Sequence, residues 1–213
     1  MKNSSRKLVT LIDKENNVLE DEDLFAAHTH PAQLHRAVSV WLVHDQGSRS
    51  QILLQKRSIK KITGGNQWGN AICGNVRPNE TYLECAQRRL GEEIGVYGVK
   101  LKPDFRFEYK IYSNEKYGEH ELDQVYVGEY NGKFELNPEE ASAIVWVDMI
   151  ELKKEVAKHK IIGAMETLKY ETDELKNLTP ALKLRLGGKD FEITPWTSLM
   201  LGDKKLWEML EKN

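Results

Sequence analysis

The chain has 213 residues, with 31 lysines and arginines against 33 aspartates and glutamates, so its formal net charge is −2. This balance gives no general attraction for nucleic acid or an anionic membrane, and we expect neither as a partner. No apolar run approaches the roughly 20 residues of a membrane span, and the N-terminal residues lack the apolar middle of a signal peptide. With only two cysteines, we expect a cytoplasmic protein with reduced thiols.

The N-terminal part of the chain predicts strands. Residues 8–13 and Val18 flank an Asn-Asn turn, which indicates a hairpin, and a helical turn is expected at 24–28. Residues 37–43 and 52–55 are rich in β-branched and apolar residues. We expect them to form an antiparallel pair joined by a polar loop at 45–50.

Residues 68–96 predict a strand, a glycine loop and a helix. Residues 68–73 are small, apolar and uncharged, as in a buried strand. Asn79 is the expected N-cap of a helix that begins at Glu80, and Gly95 is its expected C-terminal residue. Apolar residues recur along this helix at the spacing of one face, at Leu83, Ala86 and Leu90.

Beyond this helix, residues 119–130 predict a strand with three acidic residues on one face, at Glu119, Glu121 and Asp123. Another strand is expected at 143–147, followed by helical structure over 149–169 and a last helix over 198–212. The polar stretch 171–188 has no clear pattern and suits either a surface insertion or a cover over a site. Together these elements predict an α+β fold with a mixed sheet layered between helices.

The helix and its preceding loop resemble the Nudix box, a module that holds a divalent cation against a diphosphate. The matching positions are Gly74, Glu80, Arg88, Glu92, Glu93, Gly95 and Val96. Nudix hydrolases have a metal-binding glutamate where this chain has Arg89. The alternative is a charged amphipathic helix with pairs four residues apart, such as Arg89 with Glu93.

From about Leu8 to its C-terminus, the chain resembles, more narrowly, the type 1 isopentenyl-diphosphate isomerases, Nudix-fold proteins that have an arginine at the box position of Arg89. The resemblance is carried by six motifs: LHRAVSVWLV from Leu34, LLQKRS from Leu53, Cys73-Gly74, Arg88-Arg89-Leu90, GEHELD from Gly118 and ITPW from Ile193. It implies one Nudix domain over residues 1–213, with a core at about 34–150, an N-terminal hairpin and a C-terminal helical extension. It also implies conversion of isopentenyl diphosphate to dimethylallyl diphosphate in isoprenoid biosynthesis.

The resemblance implies a set of catalytic residues. Cys73 and Glu121 match the two acid/base groups, and Trp196 matches a tryptophan whose ring faces the carbocation. Tyr109 matches a tyrosine that hydrogen-bonds the catalytic carboxylate, with Tyr112 as the alternative. From the residues alone, Cys73 could equally be a small buried side chain and Trp196 a core residue that opens a helix.

The resemblance also implies metal and diphosphate sites. The matching ligands of a divalent transition metal such as Mn²⁺ or Zn²⁺ are His28, His35, Glu119 and Glu121, with Asn75 where the family has histidine. An amide oxygen is a weaker ligand for such metals. Either the four other residues bind the metal together with Asn75 or water, or the metal site and the activity are altered. Glu93 matches the ligand of Mg²⁺. The diphosphate would be bound by Arg57, Lys61 and Arg89.

Two other functions remain open from the sequence. One is a Nudix hydrolase that cleaves a nucleoside or prenyl diphosphate, which Arg89 disfavours. The other is a diphosphate-binding protein without catalysis, which the presence of Cys73, Glu121 and Trp196 disfavours. All three share a small diphosphate as ligand, and the sequence leaves the oligomeric state open.

Overall fold

The computed structural model describes residues 7–45 and 49–212, so the predicted loop at 45–50 and the N-terminal residues lie partly outside it. These residues form the strands β1 (Leu8–Ile12), β2 (Val18–Asp23), β3 (His35–Asp45), β4 (Ser50–Arg57), β5 (Trp68–Gly69), β6 (Ile72–Asn75), β7 (Lys102–Tyr112), β8 (Gly118–Glu129), β9 (Ala141–Asp148), β10 (Leu182–Leu186) and β11 (Lys189–Ile193). The helices are α1 (Leu24–His28), α2 (Tyr82–Ile94), α3 (Met149–Val156), α4 (Ala164–Thr167), α5 (Thr172–Leu178), α6 (Pro195–Leu201) and α7 (Lys204–Leu210).

Strand β3 lies at the centre of a mixed sheet. Along one edge it runs parallel to β8, from the pair His35–Glu121 to the pair Val43–Glu129. Its other edge pairs antiparallel with β1, β6 and β4 in turn. The predicted N-terminal hairpin and the antiparallel pairing of β3 with β4 are therefore both present.

Helices cover both faces of this sheet because β3 is apolar on both sides. Its even-numbered residues, such as Val40 and Leu42, pack with the apolar stripe of α2. Its odd-numbered residues Trp41 and Val43 pack with residues of α3, α6 and α7. The expected α+β fold with a mixed sheet between helices is confirmed.

The expected strand at 68–73 is instead two short strands, β5 and β6. The chain leaves its pairing with β4 after Gly69 and joins β3 at Ile72. At the crossing, the Asn70 side chain donates hydrogen bonds to the backbone carbonyls of Val40 and Ile72. The Asn70 side chain thus replaces backbone hydrogen bonds of the sheet where the chain passes from β4 to β3. The apolar sequence pattern continues through this point and does not reveal the break.

Helix α2 begins two residues later than predicted. Asn79 is not its N-cap: it has a positive φ of 61° and lies in the turn before the helix. Thr81 is the N-cap, and its side chain and that of Glu84 form a reciprocal capping box. Gly95 ends the helix in the left-handed conformation, as predicted.

The C-terminal part is more broken than the sequence predicts. The helical region at 149–169 is two helices, α3 and α4, and the last helix is divided into α6 and α7 at Gly202 and Asp203. Asp203 caps α7 with its side chain, which starts a new helix. The polar stretch 171–188 contains α5 and β10, and α5 packs against β7. Among the described residues, no helix is long and apolar enough to cross a membrane.

The capping box gives a test of how α2 is held. Replacing Thr81 by alanine removes the acceptor for the Glu84 backbone N–H, so we expect the free energy of unfolding to fall by about 1 kcal/mol. Chemical denaturation would measure this. Thr81→Ser keeps the hydroxyl and is the matched control; equal losses in both variants would contradict the capping role.

Candidate active site

A cavity of about 310 Å³ lies where β6, β7 and β8 meet α1, α2 and α6. Ten of the predicted catalytic, metal and diphosphate residues line it: His28, Arg57, Lys61, Cys73, Asn75, Arg89, Tyr109, Glu119, Glu121 and Trp196. His35 and Glu93 are fully buried, with exposures of 0% each, and are not among the lining residues. The structure therefore brings most of the predicted site together around one space.

Two histidines and two glutamates form a cluster at the cavity, and all of them except His35 line it. His28 ends α1, His35 begins β3, and Glu119 and Glu121 share one face of β8. One ligand atom of each residue lies within 4.8 Å of those of the other three. The closest approaches are 2.9 Å from Nε2 of His28 to Oε2 of Glu119 and 3.4 Å from Nε2 of His35 to Oε1 of Glu121.

Backbone carbonyls hold both imidazoles in place. Nδ1 of His28 lies 2.7 Å from the carbonyl oxygen of Leu24, and Nδ1 of His35 lies 2.7 Å from that of Gln33. A carbonyl only accepts, so each Nδ1 carries the hydrogen and each Nε2 has a lone pair toward the cluster when the ring is neutral. Such outer hydrogen bonds are typical of histidines that bind metals.

These residues fit a divalent metal ion. Nε2 of His35 is buried and, within residues 7–45 and 49–212, has no hydrogen-bond partner. Two neutral imidazoles and two carboxylates are ligands that suit a divalent transition metal. Asn75 lies at the same place, because its Nδ2 is 3.4 Å from Nε2 of His28. Two histidines close to these ligands in sequence are directed elsewhere: His30 contacts the Asn114 carbonyl, and His120 contacts Glu108.

The opposite charges of His28 and Glu119 stabilise each other and shift the pKa of both groups. Burial alone would lower the pKa of His28, but the carboxylate of Glu119 outweighs it and raises this pKa to about 9. Burial would likewise raise the pKa of Glu119, and His28 instead lowers it to about 2. Burial, followed by the charge of Glu121, raises the pKa of Tyr109 well above its usual value. Tyr109 thus keeps its proton and donates it in a hydrogen bond to Oε2 of Glu121.

The thiol of Cys73 lies on β6, beside this cluster. Burial and the nearby Asp123 raise its pKa to about 12, so the sulfur carries a proton at neutral pH. Its Sγ lies 3.1 Å from Oδ1 of Asn70 and 3.4 Å from Oγ of Ser39. The Ser39 hydroxyl in turn donates to Asp123 at 2.6 Å. Both cysteines are free thiols, as expected.

Trp196 belongs both to the core and to the cavity wall. It follows Pro195 at the start of α6, is 3% exposed, and packs in the core cluster beneath the sheet. The guanidinium carbon of Arg57 lies 4.9 Å from the centroid of its ring. Gly64 passes so close that a Cβ there would lie 2.5 Å from the ring. The ring is therefore fixed by contacts on more than one side.

Arg89 also lines the cavity and is held by several carboxylates. Its guanidinium makes four hydrogen bonds, two to Glu93 and one each to Glu92 and Glu140. The second carboxylate oxygen of Glu93 accepts from Gln55 at 2.9 Å. Both oxygens of Glu93 thus accept hydrogen bonds, and its predicted role as a Mg²⁺ ligand stays a prediction.

Glu140 contacts two of the three cations predicted to bind the diphosphate. Its Oε2 accepts from Nζ of Lys61 at 2.6 Å and from Nη2 of Arg89 at 2.8 Å. Burial alone would raise the pKa of Glu140, but these two cations lower it to about 2. The stem of Arg89 reaches this position by passing over Gly74, where a Cβ would lie 2.5 Å from its Cγ. Gly74 is therefore needed for the arginine to enter the cavity.

Comparison with known proteins identifies the family. The model of the NUDIX domain matches residues 33–165. An isopentenyl-diphosphate Delta-isomerase 2 from Aromatoleum aromaticum is 39% identical over 70% of this chain and 77% of its own length. An isopentenyl-diphosphate Delta-isomerase from Serratia proteamaculans is 33% identical over 72% of this chain and 83% of its own. The chain belongs to the isopentenyl-diphosphate Delta-isomerase family of Nudix proteins. The fold is also that of the crystal structure of DR0079 from Deinococcus radiodurans, with a TM-score of 0.56, 20% identity, and coverage of 80% of this chain and 98% of that one.

Several residues in the hydrogen-bond networks of this site, including Ser39, Asn70, Asp123 and Glu140, were not singled out as site residues from the sequence. Ser39 is a lone polar residue in an apolar strand, and Asp123 continues the acidic face of β8, so both gave a signal. Glu140 gave none, because its partners on α2 and in the loop after Arg57 are distant in sequence. Asn70 gave none either, because it bonds to Val40 and Thr197, which are far along the chain.

The position of Asn75 leads to a test of the metal cluster. We expect Asn75→His to raise the affinity for Zn²⁺ or Mn²⁺ about tenfold, equivalent to about 1.4 kcal/mol, because it adds an imidazole beside His28. Calorimetric titration of metal-free protein measures this. His120→Asn, which alters the opposite face of β8, is the control and should change nothing. Unchanged affinity in Asn75→His would mean that position 75 does not face the metal.

The position of Glu140 leads to a second test. Glu140→Gln removes a negative charge that pairs with Lys61 and Arg89, so we expect inorganic pyrophosphate to bind about tenfold more tightly. Glu139→Gln is the matched control, since Glu139 pairs with Lys60 on the exposed surface and such pairs contribute little. Weaker binding of pyrophosphate to Glu140→Gln would show that Glu140 instead helps to hold the anion.

Proposed function

We propose that this protein isomerises isopentenyl diphosphate to dimethylallyl diphosphate, as the names of its relatives state for those proteins. The observation that carries the proposal is the combination of groups in one cavity. A thiol, a carboxylate and an indole ring, from Cys73, Glu121 and Trp196, share it with six lysine and arginine side chains, which include the three predicted to bind the diphosphate. Neither diphosphate binding alone nor hydrolysis requires all of these groups.

The reaction moves two protons and leaves the diphosphate intact. A proton is added to the terminal carbon of the double bond, which gives a tertiary carbocation, and another proton is removed from the neighbouring methylene to form the new double bond. This needs one proton donor and one acceptor within reach of the same substrate. We assign these tasks to Cys73 and Glu121, with Tyr109 orienting the carboxylate through its hydrogen bond.

The carbocation and the diphosphate need different surroundings. In our proposal the face of Trp196 stabilises the cation, an interaction worth roughly 2 kcal/mol or more when water is excluded. Arg57, Lys61 and Arg89 hold the diphosphate through charge-assisted hydrogen bonds. The two ends of the substrate would then lie along the cavity, with the hydrocarbon toward the glutamates of β8.

The His28, His35, Glu119 and Glu121 cluster would hold a divalent transition metal, with Asn75 as a further candidate ligand. When bound there, the metal would supply positive charge that stabilises the buried carboxylates. We propose Mn²⁺ or Zn²⁺ for this cluster and Mg²⁺ beside Glu93 for the diphosphate end. The cytoplasmic location and the single-domain organisation stay predictions.

The proposal is tested by one reaction with two measurements. The purified protein is incubated with isopentenyl diphosphate and Mg²⁺, with and without Mn²⁺ or Zn²⁺. Proton NMR follows dimethylallyl diphosphate, and a phosphate assay follows hydrolysis. We expect the isomer without phosphate release. Phosphate release would indicate a Nudix hydrolase, and no reaction with any metal would contradict both enzymatic functions.

The role of the thiol is tested in the same assay. We expect Cys73→Ala to abolish isomerisation, because one of the two proton carriers is lost, while thermal unfolding changes little. Cys85→Ala is the matched control: Cys85 is also a free thiol, but it lies on the buried face of α2 and does not line the cavity. Turnover retained by Cys73→Ala would contradict the assignment.

A further inference from the structure

Asn70 is a buried amide whose orientation is fully determined by its partners. It lies between β5 and β6 and is 2% exposed. Its Nδ2 donates to the backbone carbonyls of Val40 at 3.1 Å and Ile72 at 2.7 Å. Because both partners only accept, both amide hydrogens are committed, and Oδ1 must point the other way as an acceptor.

That oxygen receives two donors from the site. The Cys73 thiol donates to Oδ1 at 3.1 Å, and the Thr197 hydroxyl donates to it at 3.0 Å. The Thr197 hydroxyl accepts a hydrogen bond from the Thr194 hydroxyl at 2.8 Å, so its own hydrogen is free to point to Oδ1 of Asn70. Both threonines are fully buried, so water does not compete for these groups.

The alternative acceptor for the thiol is less favourable. Oγ of Ser39 lies 3.4 Å from Sγ of Cys73, farther than Oδ1 of Asn70. The Ser39 hydroxyl donates to Asp123, so it has no hydrogen to offer the sulfur and can only compete as an acceptor. The single S–H hydrogen of Cys73 is therefore held by Asn70.

We propose that Asn70 is a positioning residue that fixes the S–H bond of Cys73 and links it to α6, the helix that carries Trp196. This inference rests on the proposed isomerase function and deepens it. The chain of hydrogen bonds runs from Thr194 and Thr197 at the start of α6, through Asn70, to the thiol on β6. In the proposed function both the thiol and the indole ring face the hydrocarbon part of the substrate, and this chain of hydrogen bonds sets them in a fixed relation.

The hydrogen bond has a direct spectroscopic signature, the S–H stretching band in the Raman spectrum. The protein has two thiols, and Cys73→Ala identifies the Cys73 band by its loss. In Asn70→Ala we expect this band to move to higher wavenumber, toward that of a free thiol. The band of Cys85, which donates to backbone carbonyls instead, is the internal control and should not move. A Cys73 band that stays in place would overturn the proposal.

A second variant keeps the test valid if Asn70→Ala does not fold. Thr197→Val removes one of the two donors to Oδ1 and leaves the thiol as the remaining one of that pair. Because the thiol then no longer shares Oδ1 with Thr197, we expect its hydrogen bond to strengthen. The S–H band should move to lower wavenumber, opposite to the shift expected in Asn70→Ala. Thr197→Ser keeps the hydroxyl and should restore the wild-type position. An unmoved band in Thr197→Val would contradict the link to α6.

Kinetics separate positioning from binding. In Asn70→Ala we expect kcat for isopentenyl diphosphate to fall about tenfold or more, with KM nearly unchanged, because the hydrogen bonds of Asn70 involve none of the three cations assigned to the diphosphate. A rise in KM without a fall in kcat would overturn the role. If the wild-type protein forms no dimethylallyl diphosphate, the proposed function fails, and the Raman bands still decide whether Asn70 holds the thiol.

Discussion

The candidate site depends on the pairing register of β3. This strand places His35 beside Glu121 on one edge and Ser39 beside Cys73 on the other. Side chains alternate between the two faces of a strand, so a shift by one residue would turn these groups into the core under α2. The apolar residues farther along β3, such as Trp41, pack on the same face and hold the register. The metal cluster and the thiol are therefore aligned by the same contacts that form the core.

Arg89 places a positive charge in the Nudix box and pairs there with three carboxylates. Glu93 is fully buried, and a buried carboxylate needs a partner to offset its loss of hydration. Arg89 supplies that partner and at the same time binds Glu92 and Glu140. Its guanidinium commits four of its five N–H donors in doing so. This end of the cavity is consequently a balanced ionic network and not a cluster of free acidic groups.

The sequence predicted best what depends on local patterns. The alternation of acidic residues on β8 and the left-handed Gly95 follow from rules that operate within a few residues. The break at Asn70 could not be predicted, because its cause is a hydrogen bond to Val40 on another strand. Glu140 was missed for the same reason, since its partners precede it by many residues. The last helix is divided by a local signal, the Asp203 side chain that caps α7. The sequence did not predict this division, because the apolar pattern continues across it.

Helices α4 and α5 pack against β7. Side chains from this part of the chain, and not a further strand, accept hydrogen bonds from the β7 backbone. The hydroxyls of Thr167 and Thr179 accept hydrogen bonds from the backbone N–H groups of Lys110 and Tyr112. An uncovered edge is a template on which a second molecule can add a strand. These two threonines occupy backbone N–H groups on the edge of β7, the strand that carries Tyr109. A second molecule that added a strand at this edge would first have to displace both hydroxyls.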